Sequence, residues 1–239
     1  MRVQGYGLPG VGKSTFGLTF PPPFYIWNGD RDMRGLFAKL PKTHEINYVG
    51  LSKAADQFSR AAAAGAMAEF DKLLVAAEQA PPEGTFMIDG ADLWWDIIKA
   101  WKLPDDPQPK DYQDANNFAN DRLRRLTETG LHLYLSSPAK PVWVSASQQS
   151  GRVTAEGFKH RSRWITTEVR LFTPESRDET PVTPAADAKP GLSFRAYIGI
   201  CKEQPGLAGT VINDLTFKKL YTYIYEKTPP EAEKLWSPS

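Results

Sequence analysis

Residues 5–16 read GYGLPGVGKSTF, and Gly7, Gly12, Lys13 and Ser14 within them fall at the spacing G-x-x-x-x-G-K-S. No other feature of the chain restricts its fold so narrowly. Glycines at these two places let the backbone curl until successive N–H groups face inward, and a helix starting near Lys13 adds its positive end. The stretch is therefore built to hold a phosphate chain. Such a turn belongs between a strand and a helix, and its flanks comply. Met1–Tyr6 reads as a strand and Lys13–Phe20 as a short helix stopped by Pro21, Pro22 and Pro23. In this cradle, Gly7, Leu8, Pro9, Gly10, Val11, Gly12, Lys13, Ser14 and Thr15 surround the phosphates. Lys13 reaches the β and γ groups, and the Ser14 hydroxyl ligates Mg²⁺.

The rest of the chain alternates in a way that suits a parallel sheet. Phe24–Trp27 and residues 45–51 read as strands, 54–80 as an alanine-rich helix stopped by Pro81 and Pro82, and Thr85–Asp89 as a buried strand. Residues 91–101 and 114–136 read as helices joined by a loop at 103–112, and 141–147 as a strand. Strands alternating with helices predict an α/β fold with a mostly parallel sheet covered on both faces. Residues 148–192, rich in Pro, Thr, Arg and Glu, break the rhythm, and 174–190 reads as a flexible linker. Strand character returns at 194–201 and 209–212, then a helix at 215–225 and a tail at 229–239. The expectation is thus one domain over 1–228.

With 239 residues, 41% hydrophobic and 24% charged, the chain can build one full-sized core. A net charge of +1 leaves any nucleic-acid surface a local matter. One cysteine, Cys201, excludes an intramolecular disulfide framework, and no signal peptide precedes the cradle, so the cytoplasm is the expected compartment, the host's if the chain is phage-encoded. No apolar run is long enough to cross a bilayer, so no membrane partner is expected. His44, His132 and His160 are too scattered for a zinc site, and no G-x-S-x-G elbow is present.

A nucleotide site needs a second acid for Mg²⁺, and the strand TFMID ends in one, Asp89. Asp92 competes, though its place one turn into the next helix suits a cap or a solvated acid. Trp94, Trp95 and Trp101 fall at helical spacing, as core or interface residues do.

The order of cradle, acid-ended strand, the strand VWVSASQ and the run KEQPGLAGTV at 202–211 resembles the core of RecA/DnaB-type ATPases. Within them it is most similar to the small phage proteins of single-strand annealing and recombination. Leu93, Trp94 and Trp95 after the acid, and Thr216 and Phe217 at the last helix, carry that likeness. The resemblance implies a three-layer sandwich with a RecA-type P-loop sheet and a C-terminal β-hairpin. It also implies ATP and Mg²⁺ as cofactors, single-stranded DNA as partner, and a homo-oligomeric ring or filament.

Two departures from the family pattern stand out. Where the family has a glutamate that polarises the attacking water, this chain reads YIWNGDRDM, with Asn28 or Gly29 at the expected place. Asp30 is nominated as the base, against its reading, with Asp32, as a cap for the next helix. Where the family has a Lys and, two residues on, an Arg that reach a neighbour's γ phosphate, the chain keeps Lys202 but has Gln204. Turnover should then be slow or dependent on Lys202. Gln148, after the strand expected beside the cradle strand, is the γ-phosphate sensor or simply a polar strand end.

The basic patch within 151–170 holds Arg152, Lys159, Arg161, Arg163 and Trp164, cations and an aromatic face of the kind that bind single-stranded DNA. Phe158 and Trp164 can equally anchor the loop to the core. Two functions therefore stand side by side: a DNA-dependent ATPase, and a nucleotide-gated assembly protein with negligible hydrolysis. A small-molecule kinase using the 152–163 arginines is a third. The cradle itself is testable first. Lys13→Ala should weaken ATP binding by about ten- to a hundredfold, the loss expected of a charge-assisted contact, as read by calorimetric titration.

Overall fold

The computed structural model describes residues 1–29, 33–51, 59–145, 148–172 and 195–226, with backbone alone at 143–145 and 148–152. In chain order, the elements are β1 (Arg2–Gly7), α1 (Lys13–Gly17), β2 (Phe24–Asn28), α2 (Arg34–Phe37), β3 (Ile46–Gly50), α3 (Arg60–Glu78), β4 (Thr85–Asp89), α4 (Ala91–Lys102) and α5 (Tyr112–Glu128). There follow β5 (His132–Ser145), β6 (Gln148–Ala155), β7 (Thr167–Phe172), β8 (Arg195–Cys201), β9 (Val211–Asn213) and α6 (Phe217–Tyr225). Two compact units share them. One comprises Met1–Arg2, Pro22–Leu135 and Gly157–Ile165, the other Val3–Pro21, Ser136–Glu156 and 166 onward.

In the first unit β3, β2, β4 and the opening residues of β5 pair in that order, all parallel. Every residue of β2 and β4 is buried, which is why their sequences, FYIWN and TFMID, are apolar almost throughout instead of alternating. Helices α3, α4 and α5 close a core against Trp27, Phe86, Ile88, Leu133 and Leu135. Helix α3 starts where the Ser59 hydroxyl accepts the Ala62 N–H, and its buried residues Ala63, Met67, Phe70, Leu74 and Ala77 recur at the helical period. The Phe70 ring lies 6.2 Å from Trp27, 5.7 Å from Phe86 and 5.5 Å from Trp94, centroid to centroid. Two forked pairs tie α5 to α3: Arg122 donates to both Asp71 oxygens and Arg125 to both Glu78 oxygens. Arg125's hydrogen bonds hold the Glu78 carboxyl below its usual range.

In the second unit β1 pairs parallel with β7, while β7, β8 and β9 run antiparallel to one another. The far part of β5 folds back on β6 as a hairpin with register shifts. Phe16 and Phe20 of the α1 segment and Phe217 of α6 form a ring cluster, and the Phe217 N–H donates to the Thr19 hydroxyl at 2.8 Å.

The architecture is the expected one: α/β, mostly parallel, with a C-terminal hairpin, β8–β9. Three local expectations change. The helix expected over 114–136 stops at Glu128, because Gly130 takes a left-handed φ of 82° and LHLYL then pairs with β4. A short apolar run of that kind reads alike in both periods. The stretch expected to be irregular contains β6 and β7; in TEVRLF the charged Glu168 and Arg170 mask a strand that two neighbours pair. The helix after the cradle closes at Gly17, three residues early. The tail and the linker at 174–190 lie outside the described residues. No helix among the described residues is long and apolar enough to cross a membrane.

His132, at the start of β5, has Nδ1 3.0 Å from the Met1 amino nitrogen, and burial, then that amino charge, lowers its pKa to about 3. The folded ring is neutral where the unfolded one, near 6.5, protonates, so its stability contribution is complete above about pH 6.5 and falls as pH drops toward 3. Between pH 8 and pH 5 urea unfolding should show a loss about 2 kcal/mol larger in the chain than in His132→Gln.

Candidate nucleotide site

The cradle lies wholly within the second unit. Strand β1 delivers the chain at Gly7, whose neighbour on β7 is so close that an added Cβ would stand 2.2 Å from the Leu171 carbonyl oxygen. Gly10 and Gly12 then take left-handed φ values of 85° and 86°, which turn the backbone into α1. Leu8, Pro9 and Gly10 are exposed, Val11 is buried as the anchor of the loop, and Ser14 is half-buried. The Lys13 ammonium donates to the carbonyls of Gly7 and Leu8 at 3.1 and 3.0 Å, inside its own loop. Helix α1 has five residues, so its dipole adds less to an anion site than the longer helix expected from the sequence. The turn's own amides carry more of that role.

Asp89 belongs to the first unit. It closes β4 with 4% of its surface exposed, and Gly90, at φ 87°, starts α4 immediately after it. Its backbone carbonyl accepts the Gly29 N–H at 2.9 Å. Burial, with the Asp89 charge second, raises the wholly buried Tyr134 hydroxyl well above its usual pKa. Asp92 is the second residue of α4, in its first turn and half-buried. A carboxylate and a hydroxyl are the hard oxygen donors that Mg²⁺ takes, so Asp89 and Ser14 fit that ion by their chemistry. Among the described residues no group of three or more His, Cys, Asp or Glu is placed to hold a metal.

Asn28 is the last residue of β2, in register with Asp89 on the adjacent strand, and 2% exposed. Its amide donates to the Tyr48 hydroxyl on β3 at 3.0 Å. The sequence left the place of the family glutamate between Asn28 and Gly29; beside Asp89 stands a buried amide held by a tyrosine. Nothing in INYVG singled out Tyr48 beforehand. Asp30, nominated as the base, lies outside the described residues.

Lys202 follows β8 on an exposed turn, and its backbone N–H donates to the Thr166 carbonyl. The next residue, Glu203, accepts from the Thr166 hydroxyl at 3.2 Å, and its charge helps burial raise the Tyr225 hydroxyl pKa. Gln204 N–H donates to the buried Cys201 sulfur at 3.3 Å, so the turn carrying Lys202 is tied at three points. Gln148 opens β6 opposite Ser145; its side chain and that of Arg152 lie outside the described residues.

Of the basic patch, Lys159, Arg161, Arg163 and Trp164 belong to the first unit, on a 3-10 turn and the residue after it. Lys159 and Arg163 are exposed. Arg161 donates to the Phe158 carbonyl at 2.8 Å. The Trp164 indole N–H donates to Asn120 at 3.0 Å and its ring packs against the core, while buried Phe158 lies 4.9 Å from Trp95. Here the two aromatics anchor the turn, and Lys159 and Arg163 are its outward cations.

No protein-family model matches the chain, and no curated protein matches it. Among the solved structures similar to it are two that show the range of the likeness. One is a KaiC-like protein from the hyperthermophilic archaeon Pyrococcus horikoshii OT3, with 13% identity and a TM-score of 0.48, covering 89% of this chain and 82% of that one. The other is the RadB recombinase, with 11% identity and a TM-score of 0.44, covering 89% and 85%. The likeness is one of fold.

The cradle glycines should separate by mechanism. Gly7→Ala forces backbone against backbone and should cost about 1–3 kcal/mol with loss of nucleotide binding, whereas Gly10→Ala, with no atom within 4 Å of its new Cβ, should cost about 1 kcal/mol, from φ alone. Urea unfolding with nucleotide titration distinguishes them.

Proposed function

We propose that the chain is a RecA-type ATPase that binds Mg-ATP through the Gly7–Thr15 cradle and acts on single-stranded DNA as a homo-oligomer, in recombination or strand annealing of the phage kind. The cradle carries this reading: two left-handed glycines, the close approach at Gly7 and a lysine held at the loop give a backbone that few other purposes require. Lys13 serves the β and γ phosphates, Ser14 and Asp89 serve Mg²⁺, and Mg²⁺ when bound neutralises charge on the phosphate oxygens. Gln148 and Lys202 are assigned to sensing the γ phosphate within the oligomer. Arg152, Lys159, Arg161 and Arg163 are assigned to DNA phosphates, with Trp164 as the anchor of their turn. The cytoplasm is the compartment that suits this work.

One observation favours the second function, a nucleotide-gated assembly protein. At the end of β2 a buried amide stands beside Asp89, and an amide can orient water but cannot take its proton. Hydrolysis then rests on Asp30 or is negligible. Single-turnover hydrolysis with and without single-stranded DNA decides: stimulation, by tenfold or more, is expected of the ATPase. Tight ATP binding with no turnover in either condition would establish the gated assembly instead.

A further inference from the structure

The exposed turn that carries Lys202 is gripped from two sides through the side chain next to it. The Glu203 carboxylate accepts the Thr166 hydroxyl at 3.2 Å, and the Tyr225 hydroxyl donates to the same carboxylate. These donors come from different elements: Thr166 immediately precedes β7, and Tyr225 is the last residue of α6. A carboxylate taking hydroxyl donors from two elements is fixed more firmly than one that faces water alone. The backbone is tied beside it. The Lys202 N–H donates to the carbonyl of the same Thr166 at 2.8 Å, and the Gln204 N–H to Cys201 Sγ at 3.3 Å. Farther on, the Gly209 N–H donates to the Ile198 carbonyl at 2.8 Å and the Ile198 N–H to that of Thr210 at 2.9 Å, which closes the segment against β8.

Helix α6 gives this grip a reference point within the second unit. The Thr216 hydroxyl accepts the Lys219 N–H and starts the helix. At that end the Phe217 N–H donates to Thr19, two residues past α1, and the Phe217 ring lies 4.8 Å from Phe20. Phe217, Tyr221 and Tyr225 follow one another along one side at 5.6 and 4.6 Å between ring centroids. Phe217, Leu220 and Ile224 are buried, so the helix cannot swing without exposing them. Its nine residues span about 13 Å. One end therefore sits on the segment that follows the cradle, and the other holds the Lys202 turn.

We propose that Glu203 is a positioning residue for Lys202: with Thr166 and Tyr225 it sets where that lysine stands relative to its own chain's cradle, so that the ammonium meets a neighbouring subunit's γ phosphate. This rests on the assignment of Lys202 to γ-phosphate sensing within the oligomer.

The test uses the full chain with Tyr225→Phe, which removes one hydroxyl, and with Glu203→Gln, which keeps the shape and loses the charge. Hydrogen exchange at the Lys202 and Gln204 amides should quicken by about fivefold or more in both. ATP affinity by calorimetry should stay within about twofold, while the protein concentration needed for ATP-driven self-association, read by sedimentation, should rise about tenfold, as in Lys202→Ala. Adding Tyr225→Phe to Lys202→Ala should cost nothing more, because the hydroxyl acts through the lysine; a merely structural role would add its loss in both backgrounds. Unchanged exchange in either variant, or losses that add in the double variant, overturn the positioning role and leave the assignment of Lys202 standing. If Lys202→Ala behaves with ATP like its parent, that assignment falls and the positioning role falls with it.

Discussion

The turn from β1 into α1 depends on the absence of three side chains. At Gly10 and Gly12 the backbone enters a region that other residues reach only with strain, and at Gly7 it passes so close to β7 that no Cβ fits. The first glycines set the curl of the loop, and the close approach sets the position of β1 against β7, from which β8 and β9 follow by antiparallel pairing. The cradle and the order of the strands around it are thus one constraint expressed twice.

Burial on both faces shapes the first unit in a different way. Strands β2 and β4 are apolar nearly throughout, and each ends at its carboxyl edge in a polar residue, Asn28 and Asp89, aligned across the pair. A parallel sheet brings such strand ends into one row, so chemistry can be grouped there from distant parts of the chain. At the edge of β2 the Asn28 amide is held by the Tyr48 hydroxyl, so the polar group beside Asp89 is a neutral one that can orient water and cannot take its proton.

The basic turn at 159–163 is anchored at both ends by aromatic side chains. Phe158 and Trp164 are held by Trp95 and Asn120, which fixes the ends of the turn and leaves Lys159 and Arg163 facing outward. Cations on a turn anchored in this way lose less freedom on meeting a phosphate than cations on a loose loop.

The cradle, the buried strands TFMID and FYIWN, and the α/β alternation were legible in the sequence, because each is a local matter: glycine at fixed spacing, apolar runs of strand length, alanine-rich helix. The strand at 132–136 and the strand β7 were not, since LHLYL suits either period and TEVRLF carries charges that only its pairing with β1 and β8 accounts for. Tyr48 as the partner of Asn28 and Thr166 as the partner of Glu203 were equally invisible, lying 20 and 37 positions apart in the chain. What the sequence alone determined is where the backbone must bend and which runs must be buried, which are properties of single residues and short windows. Which polar groups meet was decided by the tertiary structure, because strand register, not distance along the chain, sets who stands opposite whom.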